Sequence, residues 1–190
     1  MKLTIFLMAI ALVPAGAQPA PVKSAPSTAV AAKPAGTIGA TETSPVSLQA
    51  LRGLEKDMDG RIAVTGGKNP CNVLSSTRGL YISGLGAVFT AEVELAPTPG
   101  GVGIFQTTVG PEQKAKYRKD KLANVPALEK TLSDMALSLA SSPALKLSDS
   151  DQVVVAARLV YRAWEDTSGM PGQIVAHIDR RGGTVKLDVQ

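Results

Sequence analysis

The stretch Gly86-Ala-Val-Phe-Thr-Ala-Glu-Val-Glu-Leu95 decides the fold, because apolar and polar side chains alternate along most of it. One side of an extended chain would carry Phe89, Ala91, Val93 and Leu95. The opposite side would carry a threonine and two glutamates. A period of two is typical of a strand with one face in the core and one in water. We therefore predict a strand here, with Phe89 buried.

The same pattern occurs on both sides of this strand. Thr77–Ser83 is a second strand candidate, and the glycine-containing turn at 83–86 joins the two as a hairpin. Alternation returns after residue 150, where it predicts strands over residues 152–163, 173–178 and 184–189.

Helical periodicity fills the segments between these strands. Ser44-Pro45 has the pattern of a helix start, followed by Leu48, Leu51, Leu54 and Met58, which predicts a helix ending near Gly60. Residues 61–76 are predicted as a loop with a short strand at 62–64.

The second helical region begins at Pro111. It is strongly basic as far as Leu122, and an apolar stripe follows Pro126 with Leu128, Leu132, Met135 and Leu139. One kinked helix and two separate helices both fit, since proline is tolerated in a first turn or at a kink.

This order of elements predicts the fold class. A helix, two strands, helices and further strands indicate one α+β domain over residues 45–190, with helices packed on one face of an antiparallel sheet.

Residues 1–17 have the features of a secretory signal peptide. Lys2 precedes an apolar run from Leu3 to Val13, Pro14 interrupts it, and Ala15-Gly-Ala17 supplies small residues for cleavage before Gln18. The run is shorter than the roughly 20 residues a membrane span needs. We expect an exported protein, in the periplasm or the medium, with no transmembrane segment in its mature form.

Residues 18–44 consist mainly of Pro, Ala, Ser, Thr and Gly and contain no aromatic residue. This composition cannot bury enough apolar surface to offset the entropy of ordering, so we predict a disordered linker.

The charge balance argues against nucleic acid as a partner. The chain of 190 residues has a formal net charge of +4, well below the density of Lys and Arg that phosphate backbones select.

The sequence offers few groups for catalysis or metal binding. It contains one histidine, His177, and one cysteine, Cys71, whereas zinc sites draw on several such ligands. We predict no metal, no cofactor and no catalytic residue. A Cys71–His177 nucleophile pair, with Asn69 or Asp179 orienting the imidazole, is formally open, although a buried and inert thiol is the simpler interpretation.

One acidic pair suggests an alternative function. Glu165 and Asp166 follow Trp164, the single tryptophan, and two carboxylates beside an aromatic ring could hydrolyse a sugar. The alternative is thus a hydrolase whose site lies near this turn and the loop at 100–103.

A basic run provides the candidate binding site. Lys114, Arg118 and Lys121 share one helix face by their spacing of four and three, and this stripe could contact phosphates or carboxylates. An anionic envelope component or a protein is the partner we predict.

Two segments, Thr77–Val93 and Trp164–Val175, resemble a family of uncharacterised exported bacterial proteins. The resemblance extends from about Leu51 to Ile178 and rests on short glycine-containing strand motifs. It implies a single exported domain and no particular mechanism.

The sequence therefore favours a non-enzymatic binding or envelope-associated module over a hydrolase. A third hypothesis is a component that associates with itself through an unpaired strand such as Thr184–Val189.

We expect the exported protein to begin at Gln18, because the alanines at 15 and 17 fit the small-residue requirement of signal peptidase. Mass spectrometry of the exported chain measures this terminus. A membrane-bound product that retains Met1 would contradict both cleavage and release.

Overall fold

The structure is a computed structural model that describes residues 46–97, 109–181 and 183–190. The predicted signal peptide, the linker and the loop at 100–103 lie outside these residues. The elements in chain order are α1 (Leu48–Ala63), β1 (Asn72–Ile82), β2 (Gly86–Glu94), α2 (Pro111–Ala140), β3 (Gln152–Leu159), β4 (Gln173–Asp179) and β5 (Val185–Val189). In the described part of the chain, neither helix is long and apolar enough to cross a membrane.

The five strands form one sheet in the order β1-β2-β3-β4-β5. The predicted α+β class is confirmed, but the prediction of a wholly antiparallel sheet is wrong at one place, since β2 and β3 are parallel. The reason is the connection between them. A short turn reverses the chain, whereas a helical crossover returns it to the end of the sheet where β2 began. The 30 residues of α2 extend about 45 Å, enough to make this return.

Both helices pack on the same face of the sheet. Alternate residues of β2, β3 and β4 are buried there, and they form one core with Leu51, Met58 and Ile62 of α1 and the apolar stripe of α2. Phe89 is fully buried, as the alternation predicts. Its ring lies over Gly79 on the paired strand, where a Cβ atom would come within 2.6 Å of the ring. A side chain at residue 79 would therefore displace the largest core aromatic.

Helix α1 is shifted towards the C-terminus relative to the prediction. Ser47, rather than Ser44, caps it by accepting a hydrogen bond from the backbone N–H of Ala50. The helix continues past Gly60, so the short strand predicted at 62–64 is wrong. Ile62 is instead the next buried residue of the helical stripe, four positions after Met58.

Strand β1 starts at Asn72, five residues before the predicted start. Its register with β2 shifts between Val73 and Ser75 and again between Ser75 and Arg78. Each such irregularity breaks the alternation of side chains, which is why periodicity did not detect this half of the strand.

The structure resolves the question of Pro126, because α2 is one helix that contains it. Pro126 is exposed, whereas Leu128 is fully buried. Pro126 has no N–H, so the carbonyl four residues before it loses its helical hydrogen bond. This carbonyl is on the solvent side, where water can donate a hydrogen bond to it.

The outer edge of β1 is covered by two carboxylates of α1. Asp59 Oδ1 accepts hydrogen bonds from the backbone N–H (2.8 Å) and the hydroxyl (2.6 Å) of Thr77. Glu55 Oε1 accepts one from the N–H of Gly79 at 2.8 Å. These N–H groups point away from β2, and at an edge strand they would otherwise be free to pair with another chain. Helix α1 therefore closes this edge of the sheet.

Replacing the carboxylate that caps this edge should be costly. We expect Asp59→Ala to lower the free energy of unfolding by about 1–3 kcal/mol, because Thr77 is buried and loses the acceptor of two hydrogen bonds. Urea denaturation measures the change. Asp57→Ala is the matched control, since within the described part of the chain Asp57 makes only an exposed ion pair with Arg61, and its loss should change stability by less than about 0.5 kcal/mol. Equal effects of the two variants would contradict this role.

Candidate functional site

A buried lysine lies at the centre of the polar side chains between α2 and the sheet. The Lys121 side chain is 1% exposed. Its Nζ is 2.7 and 2.8 Å from the two carboxylate oxygens of Glu165 and 3.4 Å from Oε1 of Glu94. The two acids are 7% and 3% exposed. We call Lys121, Glu94, Glu165 and Arg162 the Lys121 cluster.

Arg162, whose side chain is 55% exposed, adds a second cation to this cluster. Its Nε is 3.7 Å from Oε1 of Glu94, so two cations face two carboxylates. The ring of Tyr161 lies 5.6 Å from Nζ of Lys121 and adds a cation–π contact. Burial, and secondarily the nearby Glu165 carboxylate, raise the pKa of Tyr161 to about 12. The phenol therefore stays protonated at neutral pH and donates to the carbonyl of Pro171 at 2.6 Å.

The cluster joins three segments that are distant in sequence. Glu94 ends β2, Lys121 is in α2, and Glu165 lies in the β3–β4 connection, residues 160–172. Charges enter a protein interior only when they are paired, because the desolvation penalty is several kcal/mol per ion. The cluster therefore fixes where this connection docks on α2.

The expected exposed stripe of Lys114, Arg118 and Lys121 is wrong for Lys121. Lys114 is exposed, Arg118 is about one-third exposed and Lys121 is buried. The physical reason is that the face of α2 that carries these residues is exposed at Lys114 but lies inside the domain at Lys121. Residue 121 is seven positions before Leu128 and so continues the apolar stripe of α2 by two turns. This spacing was the signal that could have placed Lys121 inside.

Arg118 is also engaged within the domain. Its guanidinium contacts Oδ2 of Asp166 at 3.1 Å and donates to the backbone carbonyl of Ser168. Hydrogen bonds from Ser168, assisted by the charge of Arg118, lower the pKa of Asp166. Asp166 is thus ionised at neutral pH and serves as a second attachment between α2 and the connection.

The two attachments hold Trp164 against the beginning of α2. The rings of Trp164 and Tyr117 have centroids 6.0 Å apart at an angle of 54°. Nζ of Lys114 lies 5.9 Å from the Trp164 ring. Both residues are partly exposed. We call Lys114, Tyr117, Arg118 and Trp164 the Trp164 surface, which combines aromatic area with positive charge.

Asn124 is a second buried polar residue on the inner face of α2, beside Lys121. Its amide nitrogen donates to the backbone carbonyls of Asn69 (2.6 Å) and Leu95 (2.5 Å). Gly66, at a φ of +98°, passes so close that a Cβ there would lie 2.5 Å from the amide. Sequence reasoning missed Asn124, Glu94 and Arg162, although Asn124 shares the stripe that contains Lys121 and Leu128.

The structure separates Cys71 from His177. Cys71 is part of the core, where its thiol donates to the carbonyl of Leu95, and burial raises its pKa to about 11. His177 alternates with the core residues Ala176 and Ile178, so it lies on the opposite face of the sheet and contacts Asp188 at 3.7 Å. The two are therefore not arranged as a nucleophile and its base.

The acidic pair of the hydrolase alternative is occupied by ion pairs. Glu165 contacts Lys121 and Asp166 contacts Arg118. A general acid on a glycosidase needs a raised pKa, whereas Asp166 has a lowered one. Among the described residues, no group of three or more His, Cys, Asp or Glu side chains could hold a metal ion.

Removing the buried cation should leave the buried Glu165 carboxylate without its cation and Glu94 with one cation fewer. We expect Lys121→Met to lower the free energy of unfolding by about 3–5 kcal/mol. Chemical denaturation followed by the fluorescence of Trp164, the single tryptophan, measures this. Lys119→Met is the matched control on the same helix, because Lys119 is exposed and its loss should cost less than about 0.5 kcal/mol. A Lys121→Met variant as stable as this control would show that the cluster contributes nothing to stability.

Comparison of the chain with protein-family models, with curated proteins and with solved structures finds no match. The resemblance to exported bacterial proteins stays a prediction.

Proposed function

We propose that this chain is an exported, non-enzymatic binding module whose contact surface is the Trp164 surface. One observation carries the proposal: both acids of the Trp164–Asp166 turn are paired with cations of α2, while Trp164 in the same turn stays partly exposed. Paired carboxylates favour a structural role for these acids. A partly exposed tryptophan beside cations favours contact with a ligand.

The residue types of this surface support recognition. Tryptophan, tyrosine and arginine are the residues most enriched where binding energy concentrates, because each offers a large rigid area together with a polar group. Here two aromatic rings in contact lie beside two cations.

The underlying ion pairs support it further. A side chain that is already held in place loses less conformational entropy when a ligand binds, and affinity rises accordingly. The Lys121 cluster on one side of the turn and Arg118 on the other hold the segment that carries Trp164. The surface is thus preorganised.

The charge of the surface indicates the ligand class. Lys114 is exposed, and Arg118 keeps about a third of its side chain accessible. An anionic envelope polymer, such as a polysaccharide of uronic acids, would present carboxylates to these cations and sugar faces to the indole. Export to the periplasm or the medium, proposed from residues 1–17, would bring the domain to such polymers.

Titration of the full chain with polygalacturonate tests the proposal. Because Trp164 is the single tryptophan, its fluorescence reports binding at this surface directly. We expect binding that weakens as salt rises, since exposed charges are screened beyond a Debye length of about 8 Å at physiological ionic strength. Lys114→Glu should raise Kd about three- to tenfold, from the reversal of one exposed charge contact.

Lys116→Glu is the matched control, because it makes the same charge change at an exposed position two residues away on a different face of α2. Its Kd should stay within about twofold of the wild type. Equal weakening by both variants would indicate attraction by net charge alone. An unchanged Kd for Lys114→Glu would place the contact elsewhere.

A further inference from the structure

Strand β5 forms the edge of the sheet opposite β1. Among the described strands it pairs only with β4. Gln190 and Gln173 exchange two backbone hydrogen bonds of 3.1 Å each. This pair determines which of the following residue pairs of β4 and β5 are hydrogen-bonded and which are not. The next hydrogen-bonded pairs are Asp188 with Val175 and Lys186 with His177. The backbone N–H and C=O groups of Val185, Leu187 and Val189 therefore point outward.

The two edge strands of the sheet, β1 and β5, differ in how their outward backbone groups are covered. At β1, Asp59 and Glu55 of α1 accept hydrogen bonds from the outward N–H groups, and two register shifts disturb the strand. Strand β5 keeps a regular register with β4 over all of its residues, Val185–Val189. Natural proteins usually blunt exposed edges, so a regular edge with outward backbone groups suggests an interface.

The sequence of β5, Val-Lys-Leu-Asp-Val, is complementary to itself in antiparallel alignment. When two copies pair around a two-fold axis at Leu187, each Lys186 lies opposite Asp188 of the other copy, and each Val185 lies opposite Val189. Leu187 then meets its own counterpart. A shift of the register by two residues would place lysine opposite lysine or aspartate opposite aspartate.

We propose that two copies of this chain associate through their β5 strands, antiparallel and centred on Leu187, to form one continuous sheet. In this register Leu187 forms a hydrogen-bonded pair with its counterpart, because its backbone groups point outward. The Lys186–Asp188 pairs are then of the closer, non-hydrogen-bonded kind, in which facing side chains interact most strongly.

The side-chain faces agree with this arrangement. Leu187 and Val189, at 40% and 47% exposed, lie on the helix-covered side, as their partners Ala176 and Ile174 do. Pairing would cover these apolar side chains. The charged pairs lie on the opposite face, beside His177. Since only a five-residue strand from each copy contributes, the interface is small and belongs to the weak, reversible class.

Sedimentation equilibrium of the full chain over a range of concentrations tests the proposal. We expect a reversible transition from monomer to dimer. Lys186→Asp and Asp188→Lys should each raise the dimer Kd about tenfold, because two attractive pairs become repulsive. An equimolar mixture of these two variants should recover dimers, since lysines of one chain then face acids of the other at both positions.

Two further variants separate this edge from other contacts. Leu187→Pro removes an outward N–H without removing a hydrogen bond to β4, and it should abolish the dimer. Leu187→Thr also loses the leucine side chain but keeps that N–H, and it should retain the dimer. Lys68→Asp, the same charge change as Lys186→Asp at an exposed loop position, should leave Kd within about twofold. A monomer at every concentration up to about 1 mM, a dimer unaffected by Leu187→Pro, or no recovery in the mixture would each overturn the proposal.

Discussion

The pairing of Lys121 with Glu94 and Glu165 is the constraint around which the polar half of the domain is organised. One buried ammonium group links the end of β2, the inner face of α2 and the β3–β4 connection. Hydrophobic burial is non-directional, so by itself it distinguishes less sharply between neighbouring positions of α2 on the sheet. A buried charge has a specific set of partners, and leaving them costs several kcal/mol. The cluster therefore fixes the position of α2 relative to the connection.

The position of α2 in turn determines what the surface presents. Arg118, one turn before Lys121, pairs with Asp166, and Lys114, a further turn away, reaches the ring of Trp164. One face of α2 is thus exposed at Lys114 and buried at Lys121, seven residues later. A ligand-contacting surface and its support are therefore built from one stripe of side chains.

The two sheet edges show how one fold can both prevent and permit association. Helix α1 satisfies the outward N–H groups of β1 with Asp59 and Glu55, so an approaching strand would have to displace two charge-assisted hydrogen bonds. Strand β5 has a regular ladder and a self-complementary charge pattern. The proposed dimer would carry two Trp164 surfaces, one in each copy. If both bound the same polymer chain, the dimer would bind with higher avidity than a single copy.

The sequence by itself determined the elements whose side chains follow a clear period. The burial of Phe89, the extent of β2 and the α+β class all follow from alternation and helical spacing, because those patterns reflect local geometry. The parallel pairing of β2 with β3 was decided by the crossover path of α2, and the bulges of β1 concealed half of that strand. The spacing from Leu128 could point Lys121 inward, but only the tertiary structure shows which partners let it be buried while Lys114 is exposed. A lysine is the same residue in either place, and the partners that allow its burial are 27 and 44 residues away along the chain.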